Sequence, residues 1–196
     1  MRSFAIAALE STPTDAWFDR IASLVDAGVD RILIRDPKRP DRERLQTARR
    51  CREIVTGSTL LFVHGRADLA LAAGADGLHL PSWGIPAEVA RRLAPGLLIG
   101  RSCHSLADCR AAAASGTDYV FLGPVFPPRS KEGEGGVDRG ELPEAARLGP
   151  DVFALGGMTI ENVAQLRGLP IAGVAGITLF MEDRPVAAVV EAVRRS

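Results

Sequence analysis

Cysteine is scarce in this 196-residue sequence, which contains only Cys51, Cys103 and Cys109. The three do not form a Cys-x-x-Cys pair, and an odd number of cysteines cannot all pair with one another. This pattern argues against a disulfide framework and against a zinc site built on cysteines. We therefore expect three reduced thiols with no catalytic role.

Neither sign of charge is in excess, because 24 Lys and Arg balance 24 Asp and Glu. Binding to nucleic acid needs clustered Lys and Arg, so the composition predicts no nucleic-acid partner. No apolar run reaches the roughly 18 to 20 residues that span a bilayer. The apolar start, residues 4–9, is too short for a secretory signal, and no cleavage-site pattern follows it. We expect a cytoplasmic protein with no membrane partner.

Short apolar runs alternate with amphipathic segments along the whole sequence. The runs are typical of parallel strands buried on both faces, and they cover residues 4–7, 31–34, 60–63, 77–80, 97–100, 119–122, 152–155 and 173–176. The segments between them predict helices over residues 15–27, 41–55, 67–73, 86–94, 106–115, 141–148, 161–167 and 185–195. This alternation indicates an α/β protein with a parallel sheet and right-handed crossovers.

An open doubly wound sheet and a closed barrel are both compatible with this alternation. The Gly-x-Gly-x-x-Gly motif of dinucleotide-binding open sheets does not follow the first run. Eight strand–helix units favour a closed (β/α)₈ TIM barrel, although that fold has a typical length of about 250 residues. We therefore predict a single TIM-barrel domain over residues 1–196, built of short units.

In such a barrel the ligand site lies at the carboxyl ends of the strands, and the loops after strands 7 and 8 usually hold a phosphate. Gly156 and Gly157 follow the seventh run, while Ile177 and Thr178 follow the eighth. Glycines let backbone N–H groups approach an anion closely, and Thr178 adds a hydroxyl. We predict that these four residues bind phosphate. The alternative is that the glycines only form a tight turn.

Histidines are the candidates for acid–base chemistry, because imidazole titrates near neutral pH. His104 follows the fifth run and lies close to Ser102, so it is the predicted catalytic residue, with a purely structural histidine as the alternative. His64 also follows a strand, but the adjacent Gly65 favours a turn there. His79 lies inside the fourth run, and we expect it to be structural.

Cations at the strand ends indicate an anionic ligand. Arg35 directly follows a buried strand, so its guanidinium needs a carboxylate or phosphate partner. Lys131 lies in a glycine-rich loop of the kind that closes over ligands. Together with Ser102 they are the predicted substrate contacts. Carboxylates are few near the first five strand ends, where we find Asp36 and Asp68, so we predict no metal site and no cofactor.

Several segments, in order along the chain, resemble the thiamine phosphate synthase/TenI superfamily. The resemblance extends over nearly the whole length and is carried by Ile34-Arg35, residues 66–71, 75–80, 99–105 and 118–126, Lys131, and residues 154–158. It implies a barrel of thiamine biosynthesis that binds a small, anionic, phosphorylated thiazole. Barrels of this superfamily are often dimers, which makes a homodimer an expectation of the resemblance.

The superfamily has two branches. The synthase branch couples a pyrimidine pyrophosphate to a thiazole phosphate with Mg²⁺, which aspartates after strands 3 and 4 hold; this sequence has His64-Gly65 and Pro81-Ser82-Trp83-Gly84 there. The TenI branch resembles this chain in its Gly-Arg after strand 3, its Leu-Pro-Ser after strand 4 and its Gly-Arg-Ser-x-His-Ser after strand 5.

We therefore expect an isomerase, a thiazole tautomerase that aromatises a carboxythiazole phosphate. The resemblance places the proton-transfer histidine of that branch at His104. Two alternatives stay open: a thiamine phosphate synthase with an altered metal site, and a non-catalytic regulator that binds thiazole phosphate or thiamine phosphate.

Overall fold

The strands form a closed parallel barrel in chain order, which confirms the predicted (β/α)₈ TIM barrel. A computed structural model describes residues 1–9, 13–127 and 136–196 of the chain. The strands are β1 Arg2–Ala8, β2 Arg31–Arg35, β3 Leu60–His64, β4 Gly77–Leu80, β5 Leu98–Cys103, β6 Tyr119–Leu122, β7 Asp151–Leu155 and β8 Gly173–Gly176. Each pairs in parallel with the next, and β8 closes the barrel against β1.

Helices on the outside connect the strands. They are α1 Asp15–Asp26, α2 Asp41–Ile54, α3 Ala67–Ala72, α4 Ala87–Leu93, α5 Leu106–Ala114, α6 Leu142–Ala146, α7 Ile160–Val163, α8 Thr178–Met181 and α9 Val186–Arg195. Side-chain caps begin several of them, as when the Ser105 hydroxyl accepts a hydrogen bond from the Asp108 N–H at the start of α5. In the described ranges, every helix is too short or too polar to cross a bilayer.

Strand β5 extends further than the sequence predicts, because it ends at Cys103 and the apolar run ends at residue 100. Polar residues continue the strand since each finds a partner. The Arg101 guanidinium donates to the backbone carbonyls of Ser82 at 2.7 Å and Ile85 at 2.9 Å. Ser102 therefore belongs to the barrel wall, although the apolar run that predicts this strand ends before it.

The inside of the barrel is packed with aromatic rings from alternating strand positions. The interior cluster consists of Phe4, Ile6, Leu33, Phe62, Tyr119, Phe121, Phe153 and Ala175. Glycine makes room for these rings: a Cβ atom at Gly100 would lie 1.9 Å from the Tyr119 ring, and one at Gly77 would lie 2.1 Å from the Phe62 ring. A larger apolar cluster fills the space between the strands and the surrounding helices.

A buried arginine lies at the amino-terminal end of the interior. The Arg31 guanidinium carbon is 4.9 to 5.8 Å from the ring centroids of four aromatic residues, Phe4, Phe62, Tyr119 and Phe153. Its charge also meets Asp151 at 3.5 Å. Rings and guanidinium close this end of the barrel, so the space for a ligand lies at the carboxyl ends of the strands.

Candidate active site

A cavity of about 260 Å³ opens at the carboxyl ends of the strands. Its polar lining consists of Arg35, His64, His79 and Ser102, from four neighbouring strands. The apolar lining consists of Ile6, Leu33, Phe121, Leu155 and Ile177. Apolar walls with a few converging polar groups are typical of sites that bind small molecules.

His79 joins two other polar side chains in the wall of this cavity. Its Nδ1 lies 3.2 Å from the Tyr119 hydroxyl, and its Nε2 lies 2.9 Å from the Ser102 hydroxyl. The ring also stacks on Phe121, with 4.2 Å between the ring centroids. Burial is the largest cause that holds the pKa of His79 well below its usual value. Electrostatic interactions with His64 and Arg101 lower this pKa further. The imidazole is therefore neutral at physiological pH.

His64 is the last residue of β3 and is buried against the same cavity. Desolvation lowers the pKa of His64 to about 4, and the positive charges of Arg35 and Arg44 add to this effect. The Arg44 guanidinium also donates to the His64 backbone carbonyl at 3.0 Å. His64 thus contributes a neutral imidazole to the site.

His104 lies one residue beyond the end of β5 and is exposed. Its Nδ1 is 2.9 Å from the Gly123 carbonyl oxygen. A carbonyl can only accept, so Nδ1 donates, and the neutral ring keeps a free lone pair on Nε2. His104 does not line the 260 Å³ cavity. Its catalytic role remains a prediction.

Arg35 ends β2 and faces the cavity with an exposed guanidinium. The structure gives it no ion pair or hydrogen bond with the described residues. Neighbouring arginines differ in this respect, since Arg39 binds Asp36 at 3.3 Å and Glu43 at 2.8 Å. Arg35 is therefore free to bind an anionic group of a ligand.

Gly156 and Gly157 follow β7 with φ angles of +96° and +60°. Neither N–H donates a hydrogen bond to another described residue. Ile177 and Thr178 follow β8, which pairs directly with β7, so all four predicted phosphate-binding residues lie at one side of the barrel mouth. Ile177 also lines the cavity. Phosphate binding there remains a prediction, and Lys131 lies outside the described residues.

Carboxylates near the site are already paired with arginine. Asp36 binds Arg39, Asp41 binds Arg44 at 3.3 Å, and Asp68 binds Arg66 at 2.6 Å. Within the ranges that the structure describes, there is no group of three His, Cys, Asp or Glu side chains that could hold a metal ion. Mg²⁺ prefers oxygen ligands from free carboxylates. The described residues therefore do not fit a divalent cation.

From the sequence alone, His79 is expected to be structural, and Gly65 favours a turn at His64. The signal that would have found them is the alternation of strand residues between the two faces. Ser102 faces inward, and so does Gly100 two residues before it. His79 pairs in register with Gly100, and His64 pairs with His79, so both imidazoles lie on the interior face.

Comparisons with known proteins give a consistent picture. The family model described as thiamine monophosphate synthase matches residues 4–180. A thiamine-phosphate synthase of Methanoculleus marisnigri is 41% identical over 171 residues, 85% of this chain and 81% of that protein. Another, from Pyrococcus horikoshii, is 32% identical over 89% of this chain and 86% of its own length.

A solved structure shows the same likeness in three dimensions. The thiamine phosphate pyrophosphorylase of Pyrococcus furiosus superposes with a TM-score of 0.82 and is 28% identical. The superposition covers 99% of this chain and 94% of the other.

Two of these relatives are named synthases and the third a pyrophosphorylase, and these names overturn the expectation of an isomerase. The tautomerase prediction is wrong because it rested on short motifs whose side chains have structural partners. Arg66 of the Gly-Arg motif binds Asp41 and Asp68. Arg101 of the strand-5 motif binds backbone carbonyls of the preceding strand–helix loop. Neither arginine is specific for proton-transfer chemistry.

Proposed function

The chain belongs to the thiamine monophosphate synthase family and to thiamine biosynthesis, and on this premise we propose that it is a transferase that joins a pyrimidine pyrophosphate to a thiazole phosphate. The observation that carries this proposal is the match to synthases along nearly the whole chain. One of them is 41% identical over 85% of this chain. The ligand we infer is a small phosphorylated thiazole, as the sequence predicts.

The cavity supports this proposal through its shape and its charge. Apolar walls, including the Phe121 ring, suit a flat heteroaromatic ring. The coupling forms a bond at the carbon that carries the pyrophosphate and releases pyrophosphate as an anion. Arg35 is the cationic side chain among the described residues that line the cavity, so we assign to it the stabilisation of this negative charge. We assign the binding of the thiazole phosphate to the N–H groups of Gly156 and Gly157, which donate no hydrogen bond to another described residue.

The test is to incubate the purified chain with hydroxymethylpyrimidine pyrophosphate and thiazole phosphate, with and without Mg²⁺. Thiamine phosphate and pyrophosphate are measured by mass spectrometry, and we expect both to form in equal amounts. Arg35→Met should lower kcat/KM by at least tenfold, because a charged hydrogen bond to an anion contributes about 1.5–3 kcal/mol. Absence of thiamine phosphate under both conditions contradicts the proposed activity.

A second candidate function, a non-catalytic protein that binds thiazole phosphate or thiamine phosphate, is favoured by one observation. Asp36, Asp41 and Asp68 near the site are each paired with arginine, and the described residues contain no group of three potential metal ligands. Calorimetry with thiamine phosphate separates the two functions. Tight binding together with no turnover of the two substrates supports the binding protein, whereas turnover supports the transferase.

A further inference from the structure

Three hydroxyl and imidazole groups form a continuous chain from the barrel interior to the cavity. Tyr119 is 1% exposed and His79 is 1% exposed, while Ser102 is half-buried and lines the cavity. The Tyr119 hydroxyl lies 3.2 Å from His79 Nδ1, and His79 Nε2 lies 2.9 Å from the Ser102 hydroxyl. The direction in which hydrogens point along this chain decides what Ser102 can offer to a ligand.

The direction of the hydrogens follows from the number of hydrogens that the Tyr119 hydroxyl and the His79 ring carry. A phenol carries one hydrogen, and a buried donor needs an acceptor. The structure gives the Tyr119 hydroxyl no hydrogen-bond partner besides His79 among the described residues. If Nδ1 of His79 carried the ring hydrogen, it would donate to the phenol oxygen and leave the phenol hydrogen buried without an acceptor. Every group is satisfied only when Tyr119 donates to Nδ1 and the ring hydrogen is on Nε2.

The hydrogen on Nε2 then donates to the Ser102 oxygen. Ser102 accepts this bond, and its own hydrogen remains for a group inside the cavity. We propose that Tyr119 and His79 are positioning residues that make Ser102 a hydrogen-bond donor to the ligand. Ser102 can thereby donate to a ligand that presents an acceptor atom, such as an unprotonated ring nitrogen, at this point of the cavity.

The opposite hydrogen direction would give Ser102 a different property. If the Ser102 hydroxyl donated to Nε2 of His79, its oxygen could only accept hydrogen bonds from a ligand. A ligand acceptor facing Ser102 would then lack a donor, which is costly in a buried site. Ligand recognition here rests on the proposed function, whereas the hydrogen direction in the protein does not.

The hydrogen direction can be read by long-range ¹H–¹⁵N correlation spectra of the protein labelled at its histidine ring nitrogens. The three histidines are assigned with the single variants His64→Gln, His79→Gln and His104→Gln. We expect His79 to be protonated at Nε2 and bare at Nδ1. His104, which donates from Nδ1 to the Gly123 carbonyl, is the internal reference with the opposite tautomer. A His79 that carries its hydrogen on Nδ1 overturns the proposal.

Tyr119→Phe removes the hydroxyl and keeps the ring that fills the barrel. We expect His79 to populate both tautomers in this variant, while the His104 signals stay unchanged. If His79 keeps the wild-type tautomer pattern, Tyr119 is not a positioning residue, and that part of the proposal is wrong.

Ligand contact is tested by calorimetric titration with thiamine phosphate. Ser102→Ala should weaken binding about tenfold, the effect of losing one neutral hydrogen bond. Ser102→Thr, which keeps a donor, should restore most of the affinity. Ser23→Ala, an exposed hydroxyl on α1, is the matched control and should change nothing. Unchanged binding by Ser102→Ala overturns the ligand contact even when the His79 tautomer is as expected.

If the wild-type chain makes no thiamine phosphate, the proposed function fails, and the tautomer spectra still decide the direction of the hydrogens.

Discussion

Gly157 has a backbone conformation that residues with a Cβ atom rarely adopt. Its φ is +60°, and a Cβ atom would lie 2.5 Å from the Phe126 carbonyl oxygen and 2.7 Å from that of Pro127. Gly116 has a φ of +79° with nothing within 4 Å of a Cβ, so it shows the conformational cost alone.

We predict that Gly116→Ala lowers the free energy of unfolding by about 1 kcal/mol, the cost of the left-handed conformation. Gly157→Ala should lower it by at least about 2 kcal/mol, because the methyl group also collides with the backbone. Urea unfolding curves measure both values. Equal losses in the two variants would contradict the close backbone approach at Gly157.

His64 should make stability depend on pH. Its pKa falls to about 4 in the folded protein, against an ordinary value of 6.5, so the unfolded chain binds the proton more readily between these values. Stability from this group is complete above pH 6.5 and is lost as the pH falls toward 4. The loss is about 2 kcal/mol at pH 5. His79 shifts in the same direction and adds to the effect.

The measurement is the urea midpoint at pH 7 and at pH 5. His64→Gln should lose much less stability between these values than the wild type. An unchanged pH dependence in His64→Gln contradicts a neutral, buried His64.

At the scale of single elements, the segment after β8 is held by an arginine from α1. The Arg20 guanidinium donates to the carbonyls of Phe180 at 2.8 Å, Glu182 at 2.6 Å and Arg184 at 2.8 Å. These carbonyls follow the start of α8, so Arg20 fixes the chain that continues from Ile177 at the cavity.

Arg20→Met should lower the free energy of unfolding by about 1–3 kcal/mol, because three carbonyls lose a charged donor. Amide hydrogen exchange of residues 178–184 should become faster than in the wild type. The matched control is Arg195→Met in α9, an exposed ion pair with Glu191 that contributes less than about 1 kcal/mol. Unchanged exchange in Arg20→Met contradicts the role of this contact.

The sequence predicts the order and type of the elements well, and their ends less well. Apolar runs locate all eight strands because each is buried on both faces. The end of β5 cannot be predicted from apolar runs, because Arg101 and Ser102 are polar and are held by partners distant in the sequence. The end of α7 cannot be predicted in this way either, because the helix passes into a 3₁₀ turn, Ala164–Leu166.

At the scale of the whole molecule, residues that stabilise the barrel and residues that face the ligand cavity lie at opposite ends of the strands. Arg31 and Arg35 begin and end the same strand and both belong to its interior face. Arg31 lies among aromatic rings at the closed end, whereas Arg35 faces the cavity. The two arginines therefore form a matched pair for a test of this separation.

We predict that Arg31→Met lowers the free energy of unfolding by about 1 kcal/mol through lost cation–π attraction, with KM unchanged. Arg35→Met should weaken the binding of thiamine phosphate at least tenfold and leave the unfolding curve nearly unchanged. Calorimetry and urea unfolding of the two variants check this. A loss of ligand affinity in Arg31→Met would contradict the separation.

The candidate site is less predictable from sequence than the fold. Arg35 and Ser102 could be assigned because they lie at strand ends, and both line the cavity. His79 could not, because an imidazole between two leucines looks structural until its partners, Tyr119 and Ser102, are placed beside it by the closure of the barrel. The choice of branch was wrong because local motifs do not show which arginines are already paired.

The Tyr119 ring occupies the space that a side chain at position 100 would fill. In evolution, these two positions are therefore not free to vary independently. A homologue that gains a side chain at the position of Gly100 must give up the ring at the position of Tyr119, and with it the hydroxyl that orients His79. Paired change at these two positions is thus a mark by which homologues with altered ligand preference can be recognised.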